Sequence, residues 1–446
     1  MEESFTLKQQ LRKLTVPIFL DVALVMLLGV VDTAMLSRYS DDSVAAVGLD
    51  NQLMSLIFLV YQFISMGVAI LCAQYIGARL QKRLVQVVGI ALVLNLVIGF
   101  VVSAILYFQA EGILHFMGLR DGLMPDGLVY LRITGALSFF QALSLTFSAS
   151  LRSADRTTWP MIVTLLSNVL NIVGNYALIF GHWGCPAMGV AGCAWATAIS
   201  RAVAMLLLAV IHTRVHIRRF PLGYFRPFPW RELKNLLHIG IPAMSEELSY
   251  SLSQVTITYF INQISTVALT TRTYCWSVIV FVFLFCSSVT QGGDILVGHL
   301  VGQRRYRAAY VLGNYFLRWS LIITVCCSVI LAVAGQWVLG LLTTNQEIIQ
   351  MGVWVFVVDI FLEVGRVRNI FACGTLRAAG DAIYPVIVGI IFQWSVAVGV
   401  SYLLGIPLGY GLIGMWIGFA LDENLRGIIL MRRWHSRRWT GKSFAV

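Results

Sequence analysis

Twelve long apolar stretches run through this 446-residue chain, at about 14–37, 52–76, 86–108, 128–149, 159–181, 188–212, 237–262, 274–299, 310–334, 350–373, 383–405 and 411–431. Each approaches the roughly 20 apolar residues that a helix needs to cross a bilayer. In hydrocarbon every backbone polar group must be satisfied within the segment, which a helix does and irregular chain does not. Composition agrees: 58% of residues are apolar and 12% charged, about half of the roughly 25% charge of soluble domains. The first apolar run has full spanning length and no small-residue cleavage site after it, so it reads as a span and not as a signal peptide. The expected fold class is an all-α membrane protein.

The net charge of +11 would suggest nucleic acid in a soluble protein. Here the placement of the charges accounts for it. The N-terminal tail, every second loop and the C-terminal tail together hold 23 Lys/Arg, against three (Arg38, Arg120 and Arg272) in the other six loops. Basic loops resist translocation, so this asymmetry places both termini in the cytoplasm and makes the chain a multi-pass protein of the cell (inner) membrane, with no nucleic-acid partner. Seven of the eight cysteines lie in apolar stretches and only Cys185 in an external loop, so no disulfide framework is expected.

The chain also repeats itself. ILCAQYIGARLQKR (70–83) aligns with ILVGHLVGQRRYRA (295–308), and SLRSADRTTWP (150–160) with TLRAAGDAIYP (375–385), both by the same shift along the chain. That shift also places Pro17 on Pro242 and Asp21 on Glu246, while Gly189–Gly192 matches Gly411–Gly414 by a slightly shorter one. The expected organisation is a six-helix half at 1–212, a basic cytoplasmic linker at 213–236 and a second six-helix half at 237–446. An even number of spans gives both halves the same orientation, the parallel-repeat plan, with a central cavity between them for a substrate.

The stretch VDTAMLSRYSDDSVAAVGL (31–49), the two Gly-containing turns, the two copies of Leu-Arg-x-Ala…Pro and GVAGCAWATAIS (189–200) together resemble the multidrug and toxic compound extrusion (MATE) family over essentially the whole chain. FLEVGRVRNIFACGTLRAAGD (361–381) looks most like the bacterial subgroup related to the DNA-damage-inducible F proteins. The resemblance implies a cation-coupled antiporter that exports amphiphilic, often cationic, compounds by alternating access.

Ionisable groups inside a span are functional candidates by default, because placing one there costs about 2.5–3.5 kcal/mol on insertion scales. Asp32 lies in the outer half of the first span. Asn171 and Asn175 sit at i and i+4, hence on one face of the fifth span, at a depth matching Asp32, and Thr197 on the sixth span can join them. MATE relatives use an aspartate at the Asp32 position, with partners at positions matching Asn171, Asn175 and Thr197. Some carry a second carboxylate where Asn175 stands. With one clear carboxylate here, proton coupling is favoured over sodium. The alternative for the four is interhelical hydrogen bonding alone, worth about 0.6 kcal/mol per bond.

Asp21, Glu246 and Glu247 are either gate groups near the cytoplasmic mouth or membrane-end ion pairs with the basic loops. In the tenth span Asp359, Glu363 and Arg366 are candidates for secondary coupling, with Glu363 and Arg366, at i and i+3, able to neutralise each other. Tyr250, Tyr259, Tyr274 and Trp276 are candidates to hold a cationic ligand through their ring faces. Asp294 and Arg201 receive no role. Of the seven histidines only His212 and His216 have helical ligand spacing, and at a basic span end they read as solvated. No His-Glu-x-x-His or Walker loop occurs, so neither an enzyme nor a cofactor other than the coupling ion, H⁺ or Na⁺, is expected. The partners expected are small amphiphilic or cationic substrates and the lipid bilayer, with the chain a monomer. A lipid-linked precursor flippase is the alternative, but flippases of this architecture carry several cationic residues in the cavity.

Overall fold

The computed structural model describes residues 2–445, and among them no strand occurs. The first half consists of α1 (Glu2–Ser37), α2 (Asp41–Gly77), α3 (Gln81–Phe108), the short α4 (Ala110–Phe116), α5 (Met124–Ala136), α6 (Phe139–Ser153), α7 (Thr158–Phe180) and α8 (Val190–Val215). The second consists of α9 (Trp230–Ile264), α10 (Thr266–Gly302), α11 (Tyr306–Gly340), α12 (Gln346–Ala378), α13 (Ile383–Phe392), α14 (Gly399–Gly405) and α15 (Gly411–His435). Residues Gln393–Val398, between α13 and α14, form a π-helical turn.

Among the described residues nine spans are long and apolar enough to cross a membrane, with α13 and α14 counted as one. The bent pair of α5 and α6, at 45°, supplies a tenth. Helices α9 and α15 complete six per half. They fall short on hydropathy because they carry ionisable side chains, and in α15 Asp422, Glu423 and Arg426 are buried inside the protein, where lipid does not meet them. The chain is thus an all-α membrane protein of twelve spanning helices in two six-helix bundles.

The helices outrun the apolar stretches that announce them. Segments 38–51 and 263–273, expected as loops, are mostly the first turns of α2 and α10. Each helix is started by a serine with extended backbone whose hydroxyl accepts an N–H from the first turn: Ser40 from Ser43 (3.3 Å) and Ser265 from Ala268 (3.0 Å). Such caps satisfy donors that the first helical turn leaves open, so the helix continues beyond the hydrocarbon. Hydropathy marks only the part that lies in lipid.

The two capping serines are repeat equivalents, and the repeat extends to other backbone details. Arg79 and Arg304, at the turns after α2 and α10, share the left-handed conformation (φ 59° and 60°), as do Asp155 and Gly380 after α6 and α12. Gly192 in α8 and Gly414 in α15 each sit where a Cβ would collide with backbone of the preceding span, at Leu178 and Leu404. Only glycine permits that approach.

Two compact units result, Val16–Gly240 and Ile241–Val446, with Met1–Thr15 clustering with the latter. The divisions fall at 15/16 and 240/241. Segment 213–236 packs into the first unit: the Tyr75 hydroxyl donates to Glu232, and Gln86 Nε2 donates to the Tyr224 carbonyl at 2.5 Å. Leu14 and Thr15 lie against Gly292 of α10.

Candidate functional site

In the first unit α1, α7 and α8 bring four polar side chains into one chain of hydrogen bonds. Asn175 Nδ2 donates to Asp32 Oδ1 at 2.7 Å and to Asn171 Oδ1 at 2.9 Å, and Asn171 Nδ2 donates to Thr197 Oγ1 at 3.2 Å. Both asparagines and Thr197 are buried, while Asp32 is half-buried. Asn168, one turn earlier on α7, anchors this face by donating to the Leu24 carbonyl of α1 at 2.8 Å. Ser167 donates to the Ser200 carbonyl of α8 at 3.1 Å. The sequence thus places Asp32, Asn171, Asn175 and Thr197 on faces that meet.

The chemistry of this cluster is that of an oxygen-rich site with one formal charge. Asp32 has no ion-pair contact among the described residues. Its hydrogen-bond donor is a neutral amide, so the carboxyl can lose or take a proton while Asn175 remains attached. Asn175 Oδ1 is buried without a partner among the described residues, a free acceptor beside the carboxylate. Arg201, one turn beyond Thr197, lies near enough for its charge to act on Asp32, and its guanidinium rests over the Phe58 ring at 5.1 Å.

Asp21 and Glu246 occupy equivalent places and do the same thing. Asp21 pairs with Arg152 at the end of α6, and Glu246 with Arg377 at the end of α12. The two arginines are related by the same shift along the chain as their partners, so the same ion pair joins each unit's first and fourth spans. Glu247, beside the second pair, is exposed.

The second unit carries its charges differently. Glu363 and Arg366 are paired and buried, Asp359 accepts from Trp416 Nε1 at 3.1 Å, and Arg426 binds Asp422 (Nε to Oδ1 3.1 Å) and Glu423 (3.1 Å). Asn369 Nδ2 donates to the remaining oxygen of Glu423 at 2.8 Å. Arg366, Asp422, Glu423 and Arg426 line a small pocket within the unit, together with Tyr250, Gln254, Arg272, Trp276 and Gln393. Gln393 belongs to the π turn, an irregularity that often marks functional positions in helices. Of the four aromatic candidates Tyr250 and Trp276 line this pocket, with Arg366 over Trp276 at 5.9 Å. Tyr274 packs into a hydrophobic cluster around Ile279 and Phe356, and Tyr259 is exposed.

Several groups of consequence are not singled out by the sequence. Asp422, Glu423 and Arg426 show a usable signal, an acid and an arginine at i and i+4 inside an apolar run. Asp50 and Arg272 lie in segments expected as loops, yet sit well inside α2 and α10, and Asp50 is buried with both carboxylate oxygens unpartnered among the described residues. The histidine reading is corrected: His212 is buried and 3.0 Å from the Ser150 hydroxyl, with Phe147 at 5.2 Å, because the C-terminal end of α8 is packed inside the unit.

The MatE family model matches residues 17–177 and 242–410, most of the chain and two copies whose starts keep the register of the internal repeat. The chain belongs to the MATE family. It is 41% identical to the uncharacterized transporter YisQ of Bacillus subtilis over 97% of this chain and 95% of that one. It is 28% identical to the probable multidrug resistance protein NorM of Thermotoga maritima, covering 98% and 94%. A mutant of the Vibrio cholerae MATE transporter VcmN superposes with a TM-score of 0.88 at 17% identity, covering 99% of this chain and 100% of that one. MATE membership and the polar sites inside both bundles are those of a multi-pass membrane transporter.

Proposed function

We propose that this MATE transporter is a proton-coupled antiporter that exports amphiphilic, often cationic, compounds across the cell membrane by alternating access, with both termini in the cytoplasm. The observation that carries the reading is the isolation of Asp32. A carboxylate locked in a salt bridge would resist protonation, but this one accepts its hydrogen bond from Asn175, within a chain of neutral amides and a hydroxyl, and Arg201 acts on it only from beyond ion-pair distance. Partial burial and a neutral donor leave its charge to be cancelled by an exchangeable cation. A single carboxylate matches a proton better than sodium, which favours a fuller set of charged and neutral oxygens.

In the cycle, the proton enters at Asp32 from outside as the exported compound leaves, and is lost to the cytoplasm as the next compound binds. The related multidrug resistance proteins support the substrate class. The test is ethidium accumulation inside everted vesicles, where export runs inward, under separate proton and sodium gradients. Export that follows the proton gradient and disappears in Asp32→Asn at equal expression is expected. Sodium-driven export, or undiminished export by the variant, contradicts the assignment.

A further inference from the structure

Neither the Asp32 cluster nor an ion pair accounts for Asp50. This acid on α2 is fully buried, and neither of its carboxylate oxygens has a partner among the described residues. Ala46 and Met54 lie one turn to either side of it on the same helix face, in a hydrophobic cluster with Leu114, Leu119 and Leu131. Gly127 of α5 lets the two helices approach here: a Cβ there would come within 3.8 Å of Asp50 Oδ2 and 2.7 Å of the Leu119 side chain.

No base answers the acid. On the facing α5, Asp126 accepts from the Ser43 hydroxyl at 2.6 Å and Tyr130 donates to Asn51 Oδ1 at 3.3 Å. Asp41 and Asp42 on α2 itself are exposed, as are Arg132 on α5 and, on α3, α4 and the turn before α5, Tyr107, Glu111, His115, Arg120 and Asp121. An isolated carboxylate in apolar surroundings escapes the cost of burial by taking a proton.

The internal repeat shows what this place accepts. The same shift along the chain carries Asp50 to Cys275 and Gly127 to Gly352. Cys275 is fully buried, and a Cβ at Gly352 would lie 3.2 Å from its Sγ. Helices α10 and α12 thus make the contact that α2 and α5 make, with a thiol in place of the carboxyl, and an ordinary thiol is uncharged at neutral pH. The shared geometry suits a neutral group. Only the acid can lose its proton once water reaches it.

We infer that Asp50 is a second proton-binding residue of the first unit, whose carboxyl carries a proton while α5 is packed on α2 and gives it to water when the two helices part. The inference rests on the transport reading for its use. With both termini cytoplasmic this end of α2 is the outer one, so protons arriving from outside favour closure of α5 onto α2 as they load Asp32. The Asp50 proton then stays in place while a compound binds from the cytoplasm, and Asp32 alone releases its own.

The experiment is infrared difference spectroscopy of the full chain, purified in dodecyl maltoside at neutral pH. Wild type minus Asp50→Asn should contain the C=O stretch of one un-ionised carboxylic acid, at the high-frequency position of an acid without a hydrogen-bond partner and shifted in D2O. A carboxylate band in its place overturns the inference. Asp50→Cys, which copies the second unit, serves the same subtraction, and failure of both variants to fold also overturns it, since a site that holds a neutral acid tolerates a neutral residue. Hydrogen exchange over residues 124–131, corrected for its intrinsic pH dependence, reads the parting of the helices. Opening that ionises Asp50 should become up to about ten-fold more frequent per pH unit in wild type and stay level in Asp50→Asn, and equal profiles contradict the coupling of proton to contact. Ethidium export by the wild-type preparation reports on transport separately: the acid band without proton-driven export removes the transport reading and leaves the proton site, and export without the band does the reverse.

Discussion

The two bundles share a scaffold and differ in their polar interiors. Ser40 and Ser265 cap equivalent helices, Arg79 and Arg304 turn the chain with the same backbone, and the pairs Asp21–Arg152 and Glu246–Arg377 join equivalent spans. Yet Asp32 corresponds to Ile257, a fully buried core residue, and Asn171 and Asn175 correspond to Val396 and Val400. In the other direction Glu363 and Arg366 correspond to Ser138 and Gln141, and the acid Glu423 to the base Arg201. Duplicated positions are those that shape and close a bundle. Positions where the copies part are those where chemistry is placed: a lone carboxylate among amides in the first unit, compensated ion pairs around an arginine in the second.

Substitutions that exploit this difference separate the units. The largest effect is expected for Arg426→Leu, which strands Asp422 and Glu423 in the interior. Breaking a buried pair in this way costs about 3–5 kcal/mol, so the purified protein should lose thermal stability and yield, whereas Ala204→Leu, at the equivalent place in the first unit, strands no charge. Next in size are the repeated ion pairs. Arg152→Ala should lower the melting temperature more than Arg377→Ala, because the carboxylate it strands, Asp21, is 4% exposed against 13% for Glu246 and water compensates the more exposed acid. The reverse order would show that the two pairs are not energetic equivalents of one another.

Asp32→Asn should do the opposite of Arg426→Leu: stability within about 1 kcal/mol of wild type, since the new amide oxygen still accepts from Asn175, and loss of coupled transport. Asn175→Asp sharpens the same point by restoring a second carboxylate beside the first. Like charges that close cannot both ionise freely, so the pH at which export is half-maximal should move upward.

The smallest expected effect concerns the C-terminal end of α8 in the first unit. Burial, with a further contribution from Arg156, pushes the His216 imidazole down to about 4, against about 6.5 when unfolded. The folded state therefore holds it neutral. Its contribution to stability is complete above about pH 6.5 and is lost as the pH falls from there toward about 4. Melting curves across that window should flatten in His216→Phe. At the equivalent position the second unit has Arg438.

The sequence discloses the membrane class, the duplication and the Asp32 cluster for a common reason: spacing on a helix fixes both depth and face. Asn171 and Asn175, one turn apart, had to share a face, and position along the span placed them level with Asp32. The ion pairs were legible only as alternatives, because spacing brings Asp21 near the basic side without choosing Arg152. Arg272 and Asp50 escaped because apolar runs do not report where a capped helix extends past them. Tyr259 and Tyr274 show the converse limit, since an aromatic on a span faces core, lipid or pocket according to the rotation of its helix, which composition does not fix. The linker at 213–236 was visible as a basic stretch, but its packing depends on single contacts such as Tyr75 to Glu232.

The central claim, that Asp32 exchanges its proton for the exported compound, is tested most directly by proton release. Ethidium added to purified protein in weakly buffered detergent solution should release close to one proton per bound dye from wild type and none from Asp32→Asn, because coupling between two ligands is reciprocal. Equal release from both proteins, or release that appears only when sodium is present, would contradict it.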